Sequence, residues 1–286
     1  MMSVQVAAIA RNTFTELVRQ KIFYIILLFA LGAIVSSVFM ARLTFQEEFQ
    51  MLKDVCLGAM SVFTSLLAIL ATANFLPKDL EERTLYNLLS KPVPRFVYLL
   101  GKLLGIILLL ALFTLLMSAV FGLVLGLREQ SVIAQTRAEF HDAPEELAPA
   151  LAAVKAATFN ANLLPGILII YVKSVLLAAL TLFISTFATS SLFTVMVAAA
   201  VYFIGHLQTT AREYWLQGAD IKWWTRLIIA FVALLFPDLQ SFNLTDDVIA
   251  GAPIPLNTFL ETFALGWVYT AVYFALSALV FAGREL

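Results

Sequence analysis

The sequence predicts an all-α polytopic membrane protein: a single transmembrane domain, residues 1–286, with six transmembrane helices. Three observations predict it. Of 286 residues 62% are hydrophobic and 13% charged, whereas a soluble domain has about 45–50% and about 25%, so the chain carries roughly half the charge a globular surface needs. A soluble core of this size could not bury so much Leu, Ile, Val, Ala and Phe. Second, six stretches reach the roughly 20 mostly apolar residues that a helix needs to cross the hydrocarbon. Third, these runs are continuous and rich in Phe, with 24 Phe against 12 Gly and 9 Pro, where an outer-membrane barrel would alternate and turn often.

The elements follow in order. Residues 1–21 place Val4, Ala8, Phe14, Leu17 and Val18 near one helical face, with Arg11, Glu16 and Arg19 elsewhere, which predicts an amphipathic helix at the membrane interface. No Ala-x-Ala site closes the following apolar run, so the sequence predicts an uncleaved signal-anchor. The spans are 22–40, 57–76, 98–125, 164–188, 192–207 and 259–282. Between the second and third spans, 77–95 forms the long polar stretch of one side. On the other side lie 128–162 and 209–255. In the former, Asp142 and Glu145 have capping-box spacing ahead of an Ala/Leu run, predicting a short helix outside the membrane that Pro149 kinks or restarts. In the latter, Leu227 to Phe236 is too short to span and ends at Pro237, which predicts a short re-entrant or interfacial segment before the sixth helix. Trp215, Trp223 and Trp224 suit the headgroup level.

Basic residues set orientation. Their density is greater on the side holding 77–95, since the opposite loops are about twice as long, so that side and both termini are expected to be cytoplasmic, and 128–162 and 209–255 extracytoplasmic. The expected location is a bacterial cytoplasmic (inner) membrane, with membrane lipid as the solvent.

Several chemistries are excluded. A net charge of −1 without a basic cluster does not fit a nucleic-acid binder. Cys56 is the single cysteine and the histidines are His141 and His206, so neither an intrachain disulfide nor a zinc set is expected, and no metal site. Gly101-Lys102 lacks the upstream glycine and following hydroxyl of a phosphate-binding loop, and no HExxH or GxSxG is present. The chain is therefore expected to be no enzyme and to hold no cofactor.

The informative stretch is Asp79-Leu80-Glu81-Glu82-Arg83-Thr84-Leu85-Tyr86-Asn87-Leu88-Leu89-Ser90-Lys91-Pro92-Val93-Pro94-Arg95. Leu80, Leu85, Leu88 and Leu89 fall largely on one helical face, acids sit near the start where the helix dipole favours them, and Pro92 and Pro94 end the helix. A short amphipathic helix between two spans suits a groove on a soluble partner; the alternative is a surface loop lying on the headgroups.

Followed by Tyr98, Gly101 and Lys102, this string resembles the cytoplasmic loop of ABC-2 type transporter permeases, and most nearly the NosY-like subgroup, which serves a copper-maturation export system. The turn Thr189-Ser190-Ser191, the segment Ile204-Gly205-His206 and the run Phe236-Pro237-Asp238 agree with that pattern. The resemblance implies a permease half of an exporter. It would pair with a second copy or a homologous permease and with cytoplasmic ABC ATPase subunits that bind ATP and Mg. The helix at 80–91 would be the coupling helix. Glu81, Glu82 and Arg83 would supply polar contacts to the ATPase, Leu85 and Leu88 apolar anchors, and Pro92 the rigid exit, with Thr84 and Arg95 completing the motif. The outer stretch 128–162, longer than the minimal family pattern, is where an extracytoplasmic accessory protein is expected to act.

Within the spans, Lys173 is the one basic residue deep in the apolar runs, and a cost of about 2.5–3.5 kcal/mol at a helix centre requires it to face protein or water. It is either part of a translocation path or a snorkelling or structurally paired lysine, with Glu261 the nearest partner by depth. Gly101 with Gly105, and Gly122 with Gly126, have GxxxG spacing suited to close helix packing. His206 reads as a polar interface residue. The competing readings are a membrane scaffold or secondary transporter outside the ABC class, and a membrane-embedded enzyme; the first lacks visible inverted repeats and the second convergent polar residues.

Overall fold

The computed structural model describes residues 2–41, 48–75, 77, 94–140, 144–216, 223–224, 236–251 and 254–283. Among them every regular element is helical. They are α1 (Met2–Arg19), α2 (Lys21–Ala41), α3 (Glu48–Ala73), α4 (Arg95–Glu139), α5 (Pro144–Thr158), α6 (Leu163–Phe187), α7 (Ser191–Leu216), a 3-10 turn at Gln240–Phe242, α8 (Thr245–Ala250) and α9 (Leu256–Gly283). Six of the helical stretches are long and apolar enough to cross a membrane. The expected helix at 80–91 and the re-entrant run up to residue 235 lie outside the described residues.

The hub is α6. From Ile169 to Thr186 only Tyr171 and Phe183 escape full burial, because α3, α4, α7 and α9 surround it. Lipid tails are as apolar as leucine, so close packing must supply the attraction between such helices, and small residues permit it. Gly266 of α9 lies against Val172 of α6, where a methyl group would overlap Val172 Cγ1. The stretch before α8, with its 3-10 turn, inserts beside the same contact. Phe242, 1% exposed, packs its ring edge toward Gly266, and Leu239 is wholly buried.

Three helices run past the apolar stretches that mark their spans, for one reason. The helix of the second span already begins at Glu48 as α3, that of the third continues past residue 125 as α4 to Glu139, and that of the fifth continues past residue 207 as α7 to Leu216. Hydropathy ends where polar residues begin; a helix ends where the backbone is interrupted, and Leu127 to Ala143 contains neither Gly nor Pro. With 45 residues, α4 is about 67 Å long, more than twice the roughly 30 Å of hydrocarbon. It forms a helical hairpin with α5, which continues through Pro149 without restarting there.

The root of this hairpin is tied to α3 and to the segment before α9. Arg128 donates from Nε (3.1 Å) and Nη2 (2.6 Å) to Glu48 Oε2. Lys53, 2% exposed, donates to the Ala157 carbonyl at 2.6 Å, a cation on the unsatisfied carbonyls of the α5 C-terminus. Asn160 Nδ2 donates to the Val248 carbonyl at 2.7 Å, and the Ile254 amide to Asn162 Oδ1 at 3.4 Å.

Candidate functional site: the helix junction beside the 77–95 stretch

Of the predicted coupling residues, Glu81, Glu82, Arg83, Thr84, Leu85, Leu88 and Pro92 lie outside the described residues; Arg95 is described. Phe75 is buried at 4% exposure on one side of the stretch, and α4 starts on the other. Here the ends of α3 and α9 meet the start of α4, with α1 laid across it.

Arg95 reaches back to the last turn of α9. Its Nη1 donates to the Phe281 carbonyl at 3.1 Å and the Ala282 carbonyl at 2.9 Å, in the last turn of α9 where a cation complements the helix dipole. The guanidinium also sits 5.9 Å from the Phe281 ring centroid. One turn on, Tyr98 stacks on Phe281 with centroids 6.2 Å apart, and Phe96 meets Phe274 edge-on at 5.3 Å. Lys102, 7% exposed, holds its ammonium 4.7 Å from the Phe75 centroid and 5.6 Å from that of Tyr98. Attraction between a cation and ring faces is strongest where water is scarce. Arg95, Tyr98 and Lys102, three residues of the sequence motif, thus join α4 to α9 and to Phe75, two residues past the end of α3.

The fourth member is α1. Its buried positions Ala10, Thr13 and Leu17 recur at helical spacing and face α4. A Cβ at Gly101 would lie 2.7 Å from Ile9 Cβ, and one at Gly105 would lie 2.7 Å from Thr13 Cβ and 2.9 Å from the Ala10 carbonyl oxygen. These glycines let α1 approach the α4 backbone directly. Gly122 and Gly126, with the same spacing on the same helix, have nothing within 4 Å of an added Cβ. Sequence alone could not separate the two pairs, since spacing is identical and only the azimuth differs.

Lys173 and Glu261 are not brought together. Lys173 is 2% exposed on α6 and donates from Nζ to Ser61 Oγ of α3. Glu261 is exposed on α9, five residues before Gly266, the point where α9 meets α6; that places it about 7.5 Å further along the axis and turned about 140° away. Depth along the sequence made Glu261 the candidate partner, and the helix face overrules it. Ser61, an unremarked serine at matching depth on α3, is the partner sequence reasoning missed.

His206 Nδ1 lies 2.9 Å from the Tyr202 carbonyl within α7. Beside it, a Cβ on Gly205 would lie 2.7 Å from Leu239 Cγ and 2.9 Å from the Pro237 carbonyl oxygen, and the Leu239 amide donates to the Gly205 carbonyl at 3.0 Å. Two segments singled out separately in the sequence, Ile204-Gly205-His206 and Phe236-Pro237-Asp238, are therefore one packing contact. Among the described residues no three His, Cys, Asp or Glu side chains are grouped to hold a metal ion.

No curated protein matches the chain. A family model described as ABC-2 family transporter protein matches residues 7–286, from α1 through the 77–95 stretch to the end of α9. With six membrane-capable helices built around the α6 hub and a match over nearly its whole length, the chain belongs to the ABC-2 transporter family.

Proposed function

We propose that this chain is the permease subunit of an ATP-driven exporter, in which two permeases, identical or homologous, form the transmembrane path and two separate cytoplasmic ATPases bind ATP and Mg. ABC-2 permeases are normally non-catalytic transmembrane subunits, in keeping with the lack of a phosphate-binding loop. The observation that carries the reading is the family match across 7–286. Glu81, Glu82 and Arg83 contact the ATPase, Thr84 lies between them and the anchors Leu85 and Leu88, and Pro92 leads into α4. The membrane is the bacterial cytoplasmic membrane, with α1 at its inner interface and both termini inside. The string at 80–95 supports the NosY-like subgroup.

The junction supports a route for coupling. A displacement of the 80–91 helix enters α4 at Arg95, which is bound to α9, and α1 is seated on the same helix further along at Gly101 and Gly105, so three elements move as a unit. At the far end the α4–α5 hairpin offers an extracytoplasmic accessory protein a site fixed to the same long helix. Of the two path candidates, Glu261 is open to a neighbouring protomer, whereas Lys173 holds α3 to α6.

The test is co-purification with the ATPase subunit. Glu81→Arg combined with Leu85→Asp is expected to abolish both association and coupled ATP hydrolysis while the permease still folds. Retention of both by the double variant overturns the coupling assignment.

A further inference from the structure

Between the α5-side ends of α2 and α4 lies a groove of about 180 Å³ lined by Val38, Val124, Leu127, Arg128 and Ser131. Its walls are apolar until Arg128 and Ser131 introduce polar atoms at one end. Arg128 stands three residues past Leu125, the end of the third span read from the sequence, and on that reading lies about 4.5 Å beyond the hydrocarbon, at headgroup level. Both hydrogen bonds that Arg128 makes to Glu48 go to a single oxygen, Oε2. Among the described residues, Arg128 Nη1 and Glu48 Oε1 have no hydrogen-bond partner, and the Glu48 side chain is 27% exposed.

We propose that this groove is a binding site for phosphatidylethanolamine, with an acyl chain along Val38, Val124 and Leu127, the phosphate on Arg128 Nη1 and the Ser131 hydroxyl, and the ammonium on Glu48 Oε1. The Arg128–Glu48 pair is neutral in sum and carries both signs, and it complements a headgroup that is also neutral in sum and carries both signs. Arginine offers phosphate a planar set of donors. A net anionic headgroup would leave a negative charge unmatched beside Glu48. A quaternary choline headgroup has no N–H to donate to Oε1. The site is thus selective for a primary ammonium, on grounds of charge and donor count together. It rests on the depth of Arg128 and is independent of how the chain couples to an ATPase.

The experiment is native mass spectrometry of the full-length protein, equilibrated with equal mole fractions of phosphatidylethanolamine, phosphatidylcholine and phosphatidylglycerol of matched acyl chains. Phosphatidylethanolamine is expected to be retained about tenfold over the other two, the worth of one hydrogen bond to a charged group. Glu48→Gln is expected to erase that preference. Val38→Trp fills the groove from the α2 side while leaving both residues of the ion pair in the sequence, and is expected to lose the bound lipid, with an unchanged melting temperature showing that the fold survives. Equal retention of the three lipids overturns the headgroup assignment. Undiminished phosphatidylethanolamine binding by Val38→Trp overturns the site.

Discussion

The two GxxxG pairs of α4 provide an internally controlled test of how α1 is held. Gly101→Ala with Gly105→Ala is the perturbation, and Gly122→Ala with Gly126→Ala is its reference. Carbon atoms pack best about 3.5–4.0 Å apart. The added Cβ atoms at 101 and 105 would each stand 2.7 Å from a side-chain carbon of α1, so α1 must retreat by about 1 Å. Overpacking of this kind costs about 1–3 kcal/mol per site. One retreat relieves both sites, so the pair is expected to cost about 2–4 kcal/mol, less than a simple sum. Ala gains roughly 1 kcal/mol over Gly in a helix interior, and that gain cancels between the pairs because all four positions lie in α4. The undocked population of α1 should therefore be about 30- to 1000-fold larger in the first variant than in the second. Trypsin cleavage after Arg11 and Arg19 in α1 reads that population directly, because cleavage tracks the open state when opening and closing are fast. Equal cleavage rates and equal melting temperatures for the two double variants would refute the seating of α1 on α4.

Three further outcomes are expected. Arg95→Met removes two charged hydrogen bonds from the end of α9 and should destabilise the protein by about 2 kcal/mol or more, with faster amide exchange in the last turn of α9; Arg95→Lys should restore part of this. Ser61→Ala leaves a buried ammonium without its hydroxyl and should cost about 1.5–3 kcal/mol in thermal denaturation, whereas Lys173→Met removes the charge itself and should be nearly neutral with transport retained; loss of transport by a Lys173→Met variant that folds normally would place Lys173 in the path. Lys53→Met uncovers the α5 C-terminus and should raise amide exchange across Val154–Thr158 about fivefold to thirtyfold, the worth of roughly 1–2 kcal/mol, while leaving α6 protected.

The hydrophobic runs made the number and order of the membrane helices readable, because each needs only length and apolarity. Ends were harder to read. The apolar run of the second span starts at Leu57, yet α3 begins at Glu48, since Lys53 and Asp54 interrupt hydropathy without interrupting the helix. The missing signal for α4 was present as the absence of any breaker after Gly126. Contacts were readable only in kind. A lysine at mid-span demands a partner, but whether that partner is Glu261 or Ser61 depends on which way each helix is turned about its axis, and a single sequence fixes spacing within a helix but not rotation between helices. Tyr98, Gly101 and Lys102 were visible as part of a motif. Their work at the junction emerged only when Phe75, Ile9 and Phe281, distant in the chain, converged on them.

The enclosure of α6 has a consequence for the order of assembly. A chain inserted from its N-terminus places α3 and α4 in the bilayer before α6, and α7 and α9 after it. Until α9 is made, the side of α6 that it will cover, including Val172, borders lipid or a temporary guide, so a helix sealed from lipid in the finished protein must still be at home in lipid. The one side chain that violates this, Lys173, points instead toward Ser61 on a helix already in place. Its charge need never wait in hydrocarbon for a partner not yet synthesised.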